Sequence, residues 1–564
     1  MKKKFFTFLC LVLAVVMVAG ITGCSPEQTT ATQEPTSTQD PAPTQDAAQA
    51  DQPTEAPVAD ENFNPGWPVV NETVQLTGFG KKQNGHADWN DLFALNEGER
   101  ITNVDIVWDL APSQGFEEAK SVLLASGDYP DIFWGCDLTR TELSTYGQMG
   151  VFADLTEAIE NYAHNFMARV EQYPDIAAQT KFEGKYYSMP RCNPPESPSN
   201  IDKFWINEKF LEQLDLPVPD TTEEYHQTML AFVQQDANGN GDPSDEYGIS
   251  SHKGAFTRVF KFGYGSFGLG TLGASLFNDY IDLGPDGVIR CFATTDNYYQ
   301  LLSWFASMYA DGCMDPEMFT QDNANLTAKL NDHLIGAIPY NPNNGILGTN
   351  KEDYITTRVL TGPNGDKQYV MVSAVVSSVG AFAMSAQSEY IREGVRWSDY
   401  WYSDEGNHVL RLGTEGVTYE KKEDGSYGYT DWVLNNPDGL TQAQALGTYA
   451  PDSAGGDFGT FIVPEGESIR FTERVNEAYD IVLQDYDPNM VIAAFSYTAE
   501  EQDVLNTIAT DIQTYIGEST VAFVTGKTEL TEESFADYVE TLEKMSLADY
   551  VAVYQAAYER YIAK

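Results

Sequence analysis

Between Ile101 and Gly135 the chain lays down an apolar strand, Val104 to Leu110, a helix near Phe116 to Ser126 closed by Gly127, then Pro130 and a second strand, Asp131 to Trp134. A helical crossover of this length joins parallel strands, is right-handed, and leaves ligand loops at the carboxyl ends of the strands. The expected class is therefore α/β, with Trp134 at a strand terminus. About 500 residues lie beyond the N-terminal region, too many for one hydrophobic core, so at least two domains are expected. Composition marks no second linker between them. Two lobes whose chain crosses back and forth explain that absence.

Helical signals dominate the other end. Thr221 to Glu224 and Thr498 to Glu501 are capping boxes, opening helices expected to run through Phe232 and Ile516. Val504, Leu505, Ile508, Ile512 and Ile516 keep helical spacing. So do Phe535, Tyr538, Val539, Leu542 and Met545, and then Tyr550, Tyr554, Ala557 and Tyr561, which predicts a packed helical C-terminus.

The N-terminus carries an export signal: Lys2, Lys3 and Lys4, an apolar run from Phe5 to Ala19, and Ile21-Thr22-Gly23-Cys24. Small residues before Cys24 match a lipobox, which makes Cys24 the acylated anchor; an ordinary signal cut near Gly23 is the alternative. Residues 25–60 are rich in Thr, Gln, Pro and Ala and too poor in aliphatic residues to fold, so they read as a tether. Extended at ~3.1 Å per residue, such a tether reaches about 110 Å.

Loss of residues 1–23 removes three lysines and moves the formal charge from −51 to −54. A field of that sign repels phosphate backbones and anionic headgroups, which excludes nucleic acid as a partner. Cys136, Cys192, Cys291 and Cys313 are irregularly spaced with no CxxC pattern; a pair of disulfides and free buried thiols remain equally open. The histidines are scattered singly, without an HExxH pair, and no GxSxG elbow, P-loop or dinucleotide fingerprint stands in its required context. No enzyme is expected, although so many acids leave a glycoside hydrolase as the best enzymatic alternative.

Several segments, in order, resemble the extracellular solute-binding lipoproteins of ABC importers, in the branch that includes alginate-oligosaccharide binders. They are Leu124 to Ile132 (LASGDYPDI), Gly150 to Leu155 (GVFADL), Gly184 to Pro190 (GKYYSMP), Asp311 to Pro316, Phe523 to Gly526 and Ala557 to Tyr561. The resemblance implies a type II periplasmic-binding-protein-like fold, two α/β lobes closing on a ligand. It implies a monomer on the extracellular face of the membrane that delivers a carbohydrate, an oligosaccharide, to permease subunits; a peptide ligand is the other reading. The expected division is 1–23 signal, 24–60 anchor and tether, 61–190 first lobe, 191–335 second lobe, 336–400 return to the first lobe, and 401–564 second lobe with the C-terminal helices.

Asp236-Ala237-Asn238-Gly239-Asn240-Gly241-Asp242 begins like an EF-hand loop, with oxygen ligands at alternate positions and Gly241 at the turn. The twelfth position is Tyr247 rather than Glu, and the resembling family's Asp-Glu pair falls here on Asp245 and Glu246, one residue late. The expected structural calcium ligands are Asp236, Asn238, Asn240, Asp242, Asp245 and Glu246.

Sugar pockets combine aromatic platforms with a few placed polar groups. The candidates are Trp134; Arg191 after Met189-Pro190; Trp205 in a short strand-like run; Tyr340 and Asn341 at the end of the apolar run Ile335 to Pro339; and Glu415 in a turn that matches a family motif. For Trp397 and Trp401, four apart on a helix, packing is the favoured reading.

Overall fold

The computed structural model describes residues 62–195, 197, 202–340, 348–423, 425–471, 473–487, 495 and 497–563. Cys24, the tether and Asn341 lie outside the described residues.

Two sheets organise the body. The first contains β1 (Val74–Lys82), β2 (Val104–Pro112), β3 (Ile132–Leu138), β4 (Met189–Cys192) and, much later in the chain, β9 (Val376–Met384), in the order β2-β1-β3-β9-β4. The second contains β5 (Lys203–Asn207), β6 (Tyr247–Ile249), β7 (Ile335–Tyr340) and β8 (Tyr354–Thr356), in the order β8-β5-β7-β6. The helices used below are α1 (Phe116–Ser126), α2 (Arg140–Gln148), α3 (Thr222–Gln234), α4 (Ile391–Tyr400), α5 (Ala499–Val524), α6 (Glu532–Lys544) and α7 (Leu547–Ile562).

The expected β-α-β unit is β2-α1-β3, and its two strands are parallel. They do not touch. β1, which carried no clear signal of its own, lies between them and pairs with both, Gly78 opposite Trp108 and Gly80 opposite Trp134. These glycines are required by packing: a Cβ on Gly80 would stand 2.3 Å from the Trp89 ring, and one on Gly78 would stand 2.5 Å from the Trp108 ring.

Each sheet has its own core. Phe79, Phe116, Phe133 and Phe152 fill one face of the first sheet, and the tryptophan-rich set of Trp89, Trp108, Trp134, Trp397 and Trp401 fills the other. The core of the second sheet draws on α3 and on the stripes of α5, α6 and α7, except that Val504, expected in the α5 stripe, is exposed. Both expected capping boxes are present, with Thr221 and Thr498 accepting from the Glu224 and Glu501 amides.

The observed division differs from the expected one at two places. Residues 336–340 do not return to the first lobe: Ile338 pairs with Trp205 and Ile335 with Tyr247, inside the second sheet. The return comes instead between Val372, in the second lobe's core, and Val375, in the first. Residues 401–461 then stay with the first lobe, where Trp401, Leu410 and Phe461 are core, and Phe471 is the first residue back in the second. An apolar run such as Ile335 to Pro339 announces a strand but not its partner; pairing register decides that.

The crossings meet side by side. The Cys192 amide donates to the Thr460 carbonyl, the Ile462 amide to the Cys192 carbonyl, and the Asn193 amide to the Val375 carbonyl. Three separate passes of the chain are thus hydrogen-bonded into one short hinge ribbon.

Candidate functional site

Strand direction fixes which side chains line the gap between the lobes. β1, β3 and β4 point the same way and β9 runs against them, so the ends of the first three and the start of β9 share an edge. That edge carries Lys81, Asp137, Arg191 and Ser378. In the second sheet, Tyr340 at the end of β7 pairs with Lys203 at the start of β5, beside His252 just past β6. The chain leaves the first of these edges at Cys192 and enters the second at Lys203.

Charge on the first edge is highly organised. Arg191 donates from both terminal nitrogens to the Asp452 carboxylate, which also receives Arg411; Arg411 in turn reaches Glu467. Burial alone would push the Asp452 carboxyl up, but Arg191 and Arg411 outweigh it and hold it well below the usual range. Asp457 behaves oppositely: burial raises it, despite Ser378 Oγ donating at 2.6 Å. Lys81, paired with Asp137, is lowered by its own desolvation.

On the second edge, Arg258 sits 5.2 Å from the centroid of the Tyr340 ring and bonds Asp202 at 2.8 Å. His252 packs 6.2 Å from the same ring, and burial lowers its pKa. Trp205 contributes indirectly. It is buried, and its indole N–H donates to the Tyr340 carbonyl at 3.0 Å, fixing the strand end that presents the tyrosine.

A cavity of about 220 Å³ opens where the lobes touch, with Arg140, Ser144, Phe182 and Glu183 on one wall and Tyr497 and Gln502 on the other. Arg140 is the first residue of α2, behind a capping box in which Thr139 and Glu142 bond reciprocally. Its guanidinium lies 5.1 Å from the Phe182 ring centroid and donates from Nη2 to the Gln179 carbonyl. Nη1 is buried with no acceptor among the described residues. Burial lowers the Arg140 pKa, and Tyr497 opposes that shift. A flat ring beneath a cation, flanked by hydroxyls and amides, can hold a sugar ring by its apolar face and its hydroxyls together. The Thr139–Glu142 spacing was a helix-start signal legible in the sequence; nothing there showed that Tyr497 closes the opposite wall.

The sequence candidates divide. Arg191 and Tyr340 stand on these two edges, one in each sheet. Trp134 does not: it lies within β3, fully buried, with the Phe458, Trp397 and Trp401 rings at 4.7, 5.0 and 5.7 Å. Its strand continues to Leu138, so the terminus is four residues later and the indole faces α4 rather than the gap. Trp397 and Trp401 are core as favoured. Glu415 is exposed in the turn before a small hairpin and lines none of the described cavities. The four cysteines are buried and free.

The Asp236 loop folds on itself. The Gly241 amide donates to Asp236 Oδ2 and the Asn238 amide to Glu246 Oε1, while the Asn238 and Asn240 side-chain amides both reach the Asp245 carboxylate. Asp242 caps the following turn, receiving the Ser244 amide and hydroxyl. Among the described residues no cluster of three or more acidic, His or Cys side chains is gathered as a metal site. Asp236 Oδ1 and Glu246 Oε2 are nevertheless buried without a donor, and burial raises the Glu246 pKa. Two unpaired anionic oxygens in an oxygen-rich loop fit a hard cation.

No family model matches the sequence. The chain is 26% identical over 492 residues, 84% of its length and 88% of the relative's, to the fructooligosaccharide ABC transporter substrate-binding protein FusA of Streptococcus pneumoniae. It is 23% identical over 487 residues, covering 83% and 88%, to the polygalacturonan/rhamnogalacturonan-binding protein YtcQ of Bacillus subtilis. Among solved structures, the FusA complex with kestose matches with a TM-score of 0.68 at 23% identity, over 87% of this chain and all of that one. An HMO-binding ABC-transporter-associated solute-binding protein from Bifidobacterium longum infantis matches at 0.71 and 18%, over 87% and 99%. A second FusA structure is described as an EF-hand mutant. The fold is that of the type II solute-binding proteins, and the chain's homologues are substrate-binding components of ABC transporters.

Proposed function

We propose that this homologue of ABC-transporter substrate-binding proteins captures an oligosaccharide between its two lobes and presents it to importer permease subunits. Two observations carry the reading: two sheets joined by a three-pass hinge ribbon, and a cavity lined by Arg140 and Phe182 of one lobe and Tyr497 of the other. Closure of the lobes on a ligand couples occupancy to shape, which is what a membrane partner can recognise. Arg191 and Tyr340 bind from the two edges, and Trp205 positions Tyr340. No covalent step is involved. Relatives that bind fructooligosaccharides and pectic polymers by name support the carbohydrate class.

In the same reading Cys24 is acylated, the tether of residues 25–60 holds a monomeric body above the outer face of the membrane, and Asp236, Asn238, Asn240, Asp242, Asp245 and Glu246 take a structural calcium ion that stiffens the second lobe. The unpaired oxygens of Asp236 and Glu246 support the ion.

Calorimetry and thermal-shift measurements against a panel of fructo-, xylo-, malto- and pectic oligosaccharides test the ligand class. Micromolar or tighter binding of at least one, without release of shorter sugars, is expected. Tight binding of a peptide and of no sugar overturns it.

A further inference from the structure

The chain carries far more acid than base, 84 Asp and Glu against 33 Lys and Arg, so a buried guanidinium finds a carboxylate easily. Arg191, Arg396 and Arg411 each do, and so does every exposed or half-buried arginine from Arg100 to Arg560. Arg140 alone has no ion-pair partner among the described residues. It is also desolvated, has no acceptor at Nη1 among the described residues, and lines the cavity between the lobes. Gln179, whose backbone carbonyl receives the guanidinium, has a buried side-chain nitrogen without an acceptor as well. Burying a charge without a counter-charge is costly, and each such group calls for a missing partner.

We propose that Arg140 is a specificity residue whose missing carboxylate arrives on the ligand: the cavity takes the terminal uronic acid of an otherwise neutral oligosaccharide. This rests on the carbohydrate-capturing reading above. Pockets that enclose drug-sized ligands measure ~300–1,000 Å³, so a cavity of about 220 Å³ takes one terminal unit and not a chain. Phe182 and Tyr497 supply ring faces for that unit, while the hydroxyls of Thr141 and Ser144 are placed for its own. The lining also includes Glu183 and Asp503, both exposed. They add negative charge to the cavity, which disfavours an occupant carrying more than one carboxylate. Because Tyr497 belongs to the opposite lobe, the cavity is complete only when the lobes are together, and its occupant favours the closed form.

The test uses the full mature chain and matched probes: glucuronosyl- and galacturonosyl-terminated disaccharides, each against its carboxyl-reduced neutral counterpart, with kestose as an independent neutral sugar. A hydrogen bond to a charged group is worth ~1.5–3 kcal/mol, so the acid should bind about 10- to 100-fold tighter than its neutral twin. In Arg140→Gln that discrimination should vanish while the melting temperature stays level or rises, since an uncompensated buried cation has been removed. Arg140→Lys should keep part of it. Should the variants not fold, the wild-type preference for each acid over its neutral twin still decides the matter. Equal binding of acid and neutral twin, or discrimination unchanged in Arg140→Gln, overturns the proposal. Binding of kestose with no acid preference overturns it and leaves the carbohydrate reading standing. Failure of every sugar to bind overturns both.

Discussion

Replacing Asp452 with Asn keeps the side chain's shape and removes its charge from between Arg191 and Arg411. Asp452 is completely buried, Arg411 is nearly so, and the Arg191 side chain is 15% exposed. Glu467 continues to neutralise Arg411 in the variant, so the guanidinium left uncompensated is that of Arg191, next to the hinge ribbon at Cys192. Breaking a buried ion pair from one side costs about 3–5 kcal/mol, and the amide oxygen still accepts one hydrogen bond, so the lower end, about 3 kcal/mol, is expected. For a lobe of this size that is a fall of about 6–12 °C in melting temperature. Urea unfolding followed by tryptophan fluorescence reads it directly, because the buried tryptophan set lies in the same lobe. The sign of the pH dependence follows from the depressed carboxyl. Its contribution is fully present above the unfolded value of about 3.9 and is lost as pH falls through the lower folded value. The gap between wild type and variant should therefore be widest near pH 7 and close in acid below about pH 4. A difference under about 1 kcal/mol at pH 7, or one that does not narrow in acid, would refute the assignment of Asp452 as the counter-ion that holds this edge.

Three further outcomes follow from the packing. Trp134→Ala should lower stability by about 3–5 kcal/mol while sparing sugar affinity in the fraction that stays folded; a large affinity loss at unchanged stability would return Trp134 to the ligand site. Calcium at one hundred times its dissociation constant should stabilise the chain by about 2.7 kcal/mol over a chelated sample, and Glu246→Gln should abolish the difference; an unshifted wild-type melting curve would remove the ion. Burial pushes the Cys291 and Cys313 thiols up to about 12 and holds those of Cys136 and Cys192 still higher, so a thiol reagent at pH 8 should label none of the four until the chain unfolds.

What the sequence determined by itself was whatever depends on near neighbours. The β2-α1-β3 succession, the Thr221 and Thr498 caps and the stripes of α5 to α7 follow from periodicity and from side chains reaching three or four residues along the chain. The Asp236 loop was equally legible, because its hydrogen bonds span fewer than a dozen residues. Tertiary structure alone decided which sheet each strand joined and which aromatic residues stayed in reach of a ligand. Ile335 to Tyr340 read as an apolar strand, and from residue 336 it was expected to return to the first lobe; pairing with Trp205 and Tyr247 placed it in the second. Trp134 stands near a strand end in sequence yet is enclosed by Trp397, Trp401 and Phe458, more than 260 residues away. Arg140 and Tyr497 come from opposite lobes. A site assembled from such distant segments is written in pairing register and lobe packing, which no local pattern encodes.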